Sequence, residues 1–136
     1  GNIGKDLVVM LKPLYCTILV NDIVSYAEFY RKHNIMAVSK EELLSNSDLV
    51  TLHVPLDDST RRMIGKEELK LMKPESVLIN TARGNLVDEK ALLEGLKAGK
   101  PGTAAFDVLA QEPTEDFELI DHDNLLIHTH RWQYRR

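Results

Sequence analysis

One cysteine, Cys16, stands in a chain of 136 residues. A lone cysteine excludes a disulfide within the chain, and as a small apolar residue Cys16 is expected in the core. No apolar run reaches the length needed to cross a bilayer, and no segment has the pattern of a secretory leader. A soluble cytoplasmic protein with no membrane partner is the expectation. Excess positive charge is lacking too. The 17 Lys and Arg stand against 21 Asp and Glu, for a net charge of −4, and the only basic cluster is Arg131, Arg135 and Arg136. That excludes a nucleic-acid footprint. There is no internal repeat, low-complexity tract or linker, so the length allows one domain with a real core.

What is present is organised around residues 76–113. Val77, Leu78 and Ile79 are apolar and mostly β-branched, which predicts a strand buried on both faces. Residues 80–84 break that pattern with small and polar side chains. Asp88 caps a predicted helix whose face is Ala91, Leu92, Leu93 and Leu96, and Gly99 stops it. Residues 103–106 make a second buried strand, followed by Asp107 and Glu112. In an open parallel sheet the loops at the carboxyl ends of the strands line the ligand crevice. Arg83, Asp107 and Glu112 are therefore expected on one rim.

The chain opens with Gly1, Asn2, Ile3 and Gly4, then a helical pattern over residues 5–11 and a short strand over 17–20 that ends at Asn21 and Asp22. This resembles the second half of a Gly-x-Gly-x-x-Gly dinucleotide fingerprint. One glycine lets backbone approach a pyrophosphate, the next lets the helix pack close to the sheet, and the helix N-terminus faces the anion. A Gly-x-x-Gly alone is weak, and an ordinary loop or cap stays open as a reading. Asp22 strengthens it, since an acid at the end of this strand is placed to hold the adenosine ribose hydroxyls. Residues 25–32 read as an amphipathic helix packing on Tyr26, Phe29 and Tyr30, and 36–38 as a minimal strand. Ser39 and Glu42 form a capping box for a helix ending near Asn46. Residues 49–54 are the next buried strand, with His53 at its carboxyl end. Residues 60–64 and 66–72 read as short helical pieces, 114–118 as an acidic loop, and 124–127 as the last strand. His122, His128 and His130 invite a metal reading. Alternation puts His128 and His130 on one face, but spacing fixes no third ligand, so no metal is expected. Strands alternating with helices predict an α/β fold with a doubly wound parallel sheet.

The run Asn80-Thr81-Ala82-Arg83-Gly84-x-Leu86-Val87-Asp88-Glu89-x-Ala91-Leu92, then Ala105-Phe106-Asp107-Val108 and Glu112-Pro113, resembles the NAD-binding domain of the D-isomer-specific 2-hydroxyacid dehydrogenases, phosphoglycerate dehydrogenase among them. Residues 52–56, Thr60, Ile64 and 72–74 match its middle motifs. The resemblance implies a Rossmann-like sheet with its first strand missing, and an incomplete NAD-binding domain over residues 1–130 with a tail over 131–136. It implies an absent substrate domain and a homodimer in the full-length parent. It implies NAD as cofactor and a small 2-oxo or 2-hydroxy acid as substrate. By position, Arg83 matches the arginine that holds the substrate carboxylate and the reacting oxygen. Glu112 matches the acid that hydrogen-bonds the catalytic histidine, and His130 falls where that histidine belongs. Gly1, Asn2, Ile3 and Gly4 match the pyrophosphate turn, and Asp22 the ribose acid. His53, Val54 and Pro55 border the adenosine half. Thr81, Ala82 and Arg83 line the nicotinamide side, where Asp107 contacts the carboxamide.

The sequence departs from the family at Thr129, where proline normally precedes the histidine, and at residues 131–134, where the family continues into a further helix. Two classes of function follow. The first is an oxidoreductase that transfers hydride between NAD(H) and a 2-hydroxy or 2-oxo acid, this chain being the cofactor-binding portion and inactive alone. The second is a non-catalytic NAD-binding or protein-interaction module of the same descent, as in the related corepressors.

Overall fold

The structure is a computed structural model and describes residues 1–128. Fourteen segments alternate along them. Helix α1 (Asn2–Leu11) runs into a 3-10 turn at Lys12–Leu14, then strand β1 (Leu19–Val20), α2 (Ala27–His33) and β2 (Met36–Ala37). The second half contains α3 (Lys40–Asn46), β3 (Leu49–Leu52), α4 (Lys66–Leu71) and β4 (Val77–Asn80). A 3-10 turn at Gly84–Leu86 then leads to α5 (Glu89–Lys97), β5 (Thr103–Phe106), α6 (Phe117–Ile120) and β6 (Leu125–Ile127). Every strand pairing is parallel, as connections through helices require. This is the Rossmann-like doubly wound arrangement.

The sheet is in two pieces. β1 pairs with β2, and β3-β4-β5-β6 form a separate four-stranded sheet. The register of the larger sheet sets Thr51 beside Ile79, Ile79 beside Ala105 and Ala105 beside Leu126. Residues 17–20 could have paired directly with residues 49–54 or left a seam, and the structure has the seam.

Strands expected to be buried on both faces are closed on one. Val50, Leu52, Leu78, Ala104, Phe106 and Leu125 pack into a single cluster with Leu44 of α3, Leu69 of α4, Leu92, Leu93 and Leu96 of α5 and Leu119 of α6. The opposite face carries Val77, Ile79 and Ala105, half-buried, with Leu49 at 53% and Leu126 at 66% exposure. Helices α1 and α2 contribute no fully buried residue. They lie together: the Lys5 ammonium of α1 sits 3.6 Å from the ring centre of Tyr26, which caps α2, and 5.7 Å from that of Phe29 within it.

Local signals in the sequence are realised at the caps. Ser39 Oγ accepts from Glu42 N at 3.1 Å, Asp88 Oδ1 accepts from Ala91 N at 3.1 Å, and Gly99 takes a φ of 74° just beyond α5. Three expectations are corrected. Cys16 is exposed, because it follows a 3-10 turn whose Leu14 and Tyr15 are themselves in solvent. Residues 60–64 are a turn, not a helix. Asp57 Oδ1 caps the Ser59 and Thr60 amides, Arg62 has φ 53°, and Ile64 bridges Val87. Within the acidic loop, Asp116 Oδ1 accepts from Leu119 N at 3.1 Å and starts α6. No helix among the described residues is long and apolar enough to cross a membrane.

Candidate active site

Every expected site residue that the structure describes lies at or just beyond the carboxyl end of a strand or at the start of α1, where a doubly wound sheet presents its crevice. His130 lies outside the described residues. The rest form two groups.

The first group surrounds the start of α1. The Gly1 nitrogen is 3.5 Å from Asp22 Oδ2, and Asp22 Oδ1 accepts from Val24 N at 3.0 Å. The fold thus brings Gly1 and the acid together across 21 residues of chain. His53, at the end of β3, hydrogen-bonds Thr51 Oγ1 at 3.0 Å. Burial holds its imidazole below the ordinary histidine value. Val54 and Pro55 follow it, Val54 packing on the core. Asn2 and Ile3 begin the helix, with Ile3 at 69% exposure. A Cβ added at Gly1 or Gly4 would meet nothing, so the close approach of helix to sheet expected at Gly4 is not made here.

The second group follows β4 and β5. Asn80 closes β4 with its side chain fully buried, and both ends of that amide serve the next turn. Its Oδ1 accepts from Ala82 N at 3.1 Å, and its Nδ2 donates to Arg83 O at 2.8 Å. Burying an amide costs stability unless both ends are satisfied, and here satisfying them fixes the Thr81-Ala82-Arg83 backbone. Sequence reasoning missed this role, taking Asn80 as the residue that merely breaks the strand. The Arg83 side chain is exposed, with Nη1 donating to Ala82 O at 2.6 Å. That leaves four of its five N–H donors.

Asp107 follows β5, its amide donating to Asn80 O at 3.0 Å. Its Oδ1 lies 3.2 Å from Nδ1 of His128 at the end of β6. Thr81, Asp107 and His128 rim a hollow on the open face of the sheet, floored by Ile79, Ala105 and Leu126. Glu112 lies on the loop after β5, where Oε1 accepts from Leu109 N at 2.9 Å. Among the described residues no group of three His, Cys, Asp or Glu side chains is placed to hold a metal ion.

The arrangement fits a dinucleotide. One end offers a helix start with open space at both glycines and a carboxylate beside it; the other offers an apolar hollow with polar groups at its rim.

Comparison with known proteins bears on the family and the fold. The family described as "D-isomer specific 2-hydroxyacid dehydrogenase, NAD binding domain" matches residues 1–131. A glycerate dehydrogenase of Methylorubrum extorquens is 43% identical over 133 residues, covering 96% of this chain and 40% of that protein. The holo form of Rhodotorula graminis D-mandelate dehydrogenase superposes with a TM-score of 0.88 at 33% identity, over 96% of this chain and 39% of that one. The NAD-complexed D-isomer specific 2-hydroxyacid dehydrogenase of Lactobacillus delbrueckii superposes with a TM-score of 0.85 at 31% identity, over 93% and 42%. The chain thus spans about two-fifths of the length of these relatives.

Proposed function

Because the chain belongs to the D-isomer-specific 2-hydroxyacid dehydrogenase family through its NAD-binding domain, we propose that it is the cofactor-holding part of an oxidoreductase that interconverts a small 2-oxo acid and its 2-hydroxy acid. The observation that carries this reading is the Asn80-braced turn, which fixes the Arg83 backbone just beyond β4 while the Asn80 carbonyl takes the amide of Asp107 after β5.

Nicotinamide, when bound, supplies the hydride chemistry. The chain's residues bind and orient. Gly1, Asn2, Ile3 and Gly4 would face the pyrophosphate, and Asp22 would accept from the ribose hydroxyls. His53, Val54 and Pro55 would border the adenosine half. Thr81, Ala82 and Asp107 would seat the carboxamide end. A guanidinium fork meets a planar carboxylate with two parallel hydrogen bonds, so Arg83 would hold the oxo acid and its reacting oxygen. Reduction leaves charge on that oxygen, and a proton donor must stand beside it. His130 is the proposed donor. Glu112 would sit beside it, raising its pKa and favouring the imidazolium.

The test has two steps. NADH binding to the purified chain is followed by fluorescence, and turnover is then measured with glyoxylate, hydroxypyruvate and 3-phosphohydroxypyruvate. For this chain alone, NADH binding without turnover is expected. In a completed version that carries a substrate domain, oxidation of NADH by one of these acids is expected; binding without turnover of any in that version would favour the non-catalytic module, and no binding at all would refute the cofactor reading.

A further inference from the structure

Arg83 and Glu112 stand on different elements, 29 residues apart in sequence. Neither element is a long helix or a central strand, so something other than regular structure must fix one against the other. Three contacts do so, and all converge on the two peptide groups that flank Ala110.

The first is a carboxylate. Glu89 Oε1 accepts from the Ala110 amide at 2.6 Å, across 21 residues. The second is an amide: Asn85 Nδ2 donates to Ala110 O at 3.3 Å. The third is direct backbone contact, since a Cβ added at Gly84 would collide with the Leu109 carbonyl and the Ala110 nitrogen. The Gly84–Leu86 turn is also tied on its far side, where Arg62 N donates to Asn85 O at 2.7 Å and Ile64 N to Leu86 O at 3.1 Å. The Glu112 loop is closed on itself by the bond from Leu109 N to Glu112 Oε1.

Glu89 is an expensive choice for this place. Burial pushes its carboxyl above the ordinary glutamate value; the bond from Ala110 opposes that, and the charges of Asp116, Asp88 and Glu112 add to it. A glutamine would make the same contact without desolvating a charge. A carboxylate gives the stronger acceptor, because charge-assisted hydrogen bonds are shorter and stronger than neutral ones.

We infer that Glu89 is a positioning residue, helped by Asn85. By gripping the Ala110 peptide it locks the loop that carries Glu112 onto the turn that carries Arg83, so the two move as one body. The functional meaning of the lock rests on the roles given to Arg83 and Glu112 above; its existence does not.

The experiment is amide exchange and 15N chemical-shift mapping on the chain, comparing wild type with Glu89→Ala and Glu89→Gln. In Glu89→Ala the Ala110 amide should exchange about tenfold faster or more, the loss of one charge-assisted bond. The Arg83 amide and the Asn85 side-chain amide should shift with it. Exchange at Ala104, whose amide bonds Asn124 O within the core sheet, should stay unchanged. Glu89→Gln keeps an acceptor at the same reach and should restore most of the protection and the shifts. Unchanged Ala110 protection in Glu89→Ala would overturn the inference. So would Ala104 exchange that rises equally, or Arg83 and Asn85 signals that stay in place while Ala110 is freed. None of these readings needs a ligand. A chain that shows the lock but binds no NADH would sink the dehydrogenase reading alone.

Discussion

Replacing Gly84 by alanine probes the junction of turn and loop with the smallest possible change. Gly84 is buried and its φ is not left-handed, so alanine meets no backbone objection there. The whole penalty comes from the methyl group. It would overlap the Leu109 carbonyl and the Ala110 nitrogen, all of them backbone atoms that cannot swing aside as a side-chain tip can. Overpacking of a tight site costs typically about 1–3 kcal/mol, and a clash with backbone belongs at the upper end, near 3 kcal/mol. For a domain of this size that lowers the melting temperature by roughly 10 °C. Domains of this kind hold only about 5–15 kcal/mol in total, so the loss is a large share. Thermal unfolding by circular dichroism reads it, with Gly4→Ala as the internal control. Gly4 lies in α1 with open space around it, so alanine there should gain about 0.5–1 kcal/mol from helix propensity. A Gly84→Ala chain that melts within about 2 °C of wild type, a shift worth about 0.5 kcal/mol, would show that the two segments do not touch as described.

Glu89→Gln should melt at or above wild type at pH 7. A carboxyl whose folded pKa is raised costs stability above that value, and the cost disappears as pH falls through it, so the gap between the two proteins should close on acidification. A glutamine variant less stable than wild type at pH 7 would reverse the sign. Asp22→Ala should weaken NADH binding about tenfold, the worth of one hydrogen bond to a charged group. Wild type should also prefer NADH to NADPH, because a 2′-phosphate would meet the Asp22 carboxylate. Titration showing NADPH bound equally well would remove Asp22 from the ribose. In a completed version of the enzyme, Arg83→Lys keeps the charge and loses the fork, so the rate of oxo-acid reduction should fall at least about tenfold, through a lower kcat as well as a higher KM. A variant within about threefold of wild type would place the carboxylate elsewhere.

The strand–helix alternation, the caps at Ser39 and Asp88 and the stop at Gly99 were legible in the sequence because each is written within a few neighbouring residues. The coverage of the sheet was not. Val77 and Ile79 are as apolar as Leu78, and periodicity cannot tell a face that a helix covers from one that it leaves open. The roles of Asn80 and Glu89 were not legible for a related reason. A polar residue after a strand and an acid in the first turn of a helix both look local. Asn80 proves fully buried, and Glu89 serves a peptide 21 residues away. Cys16 failed the other way: its type favours burial, but it lies exposed after the Lys12–Leu14 turn.

The division of the sheet bears on how a dinucleotide would be held. Asp22 follows β1 of the small sheet, whereas Thr81 and Asp107 follow strands of the large one. On the proposed reading, NADH would be a bivalent ligand to this chain. Its adenosine half and its nicotinamide half would each have a modest half-site, with the pyrophosphate as the tether. The gain from joining them is an effective concentration, set by how well the tether's span matches the gap and by how firmly the gap is kept. With no ladder hydrogen bond crossing from β1 to β3, that firmness falls to contacts outside the sheet ladders. The whole cofactor should then bind little better than its adenosine monophosphate half wherever those contacts are loosened. Where the cofactor does bind, it should act as a strut between the two sheets, and protection from exchange should rise in β1 and β3 together.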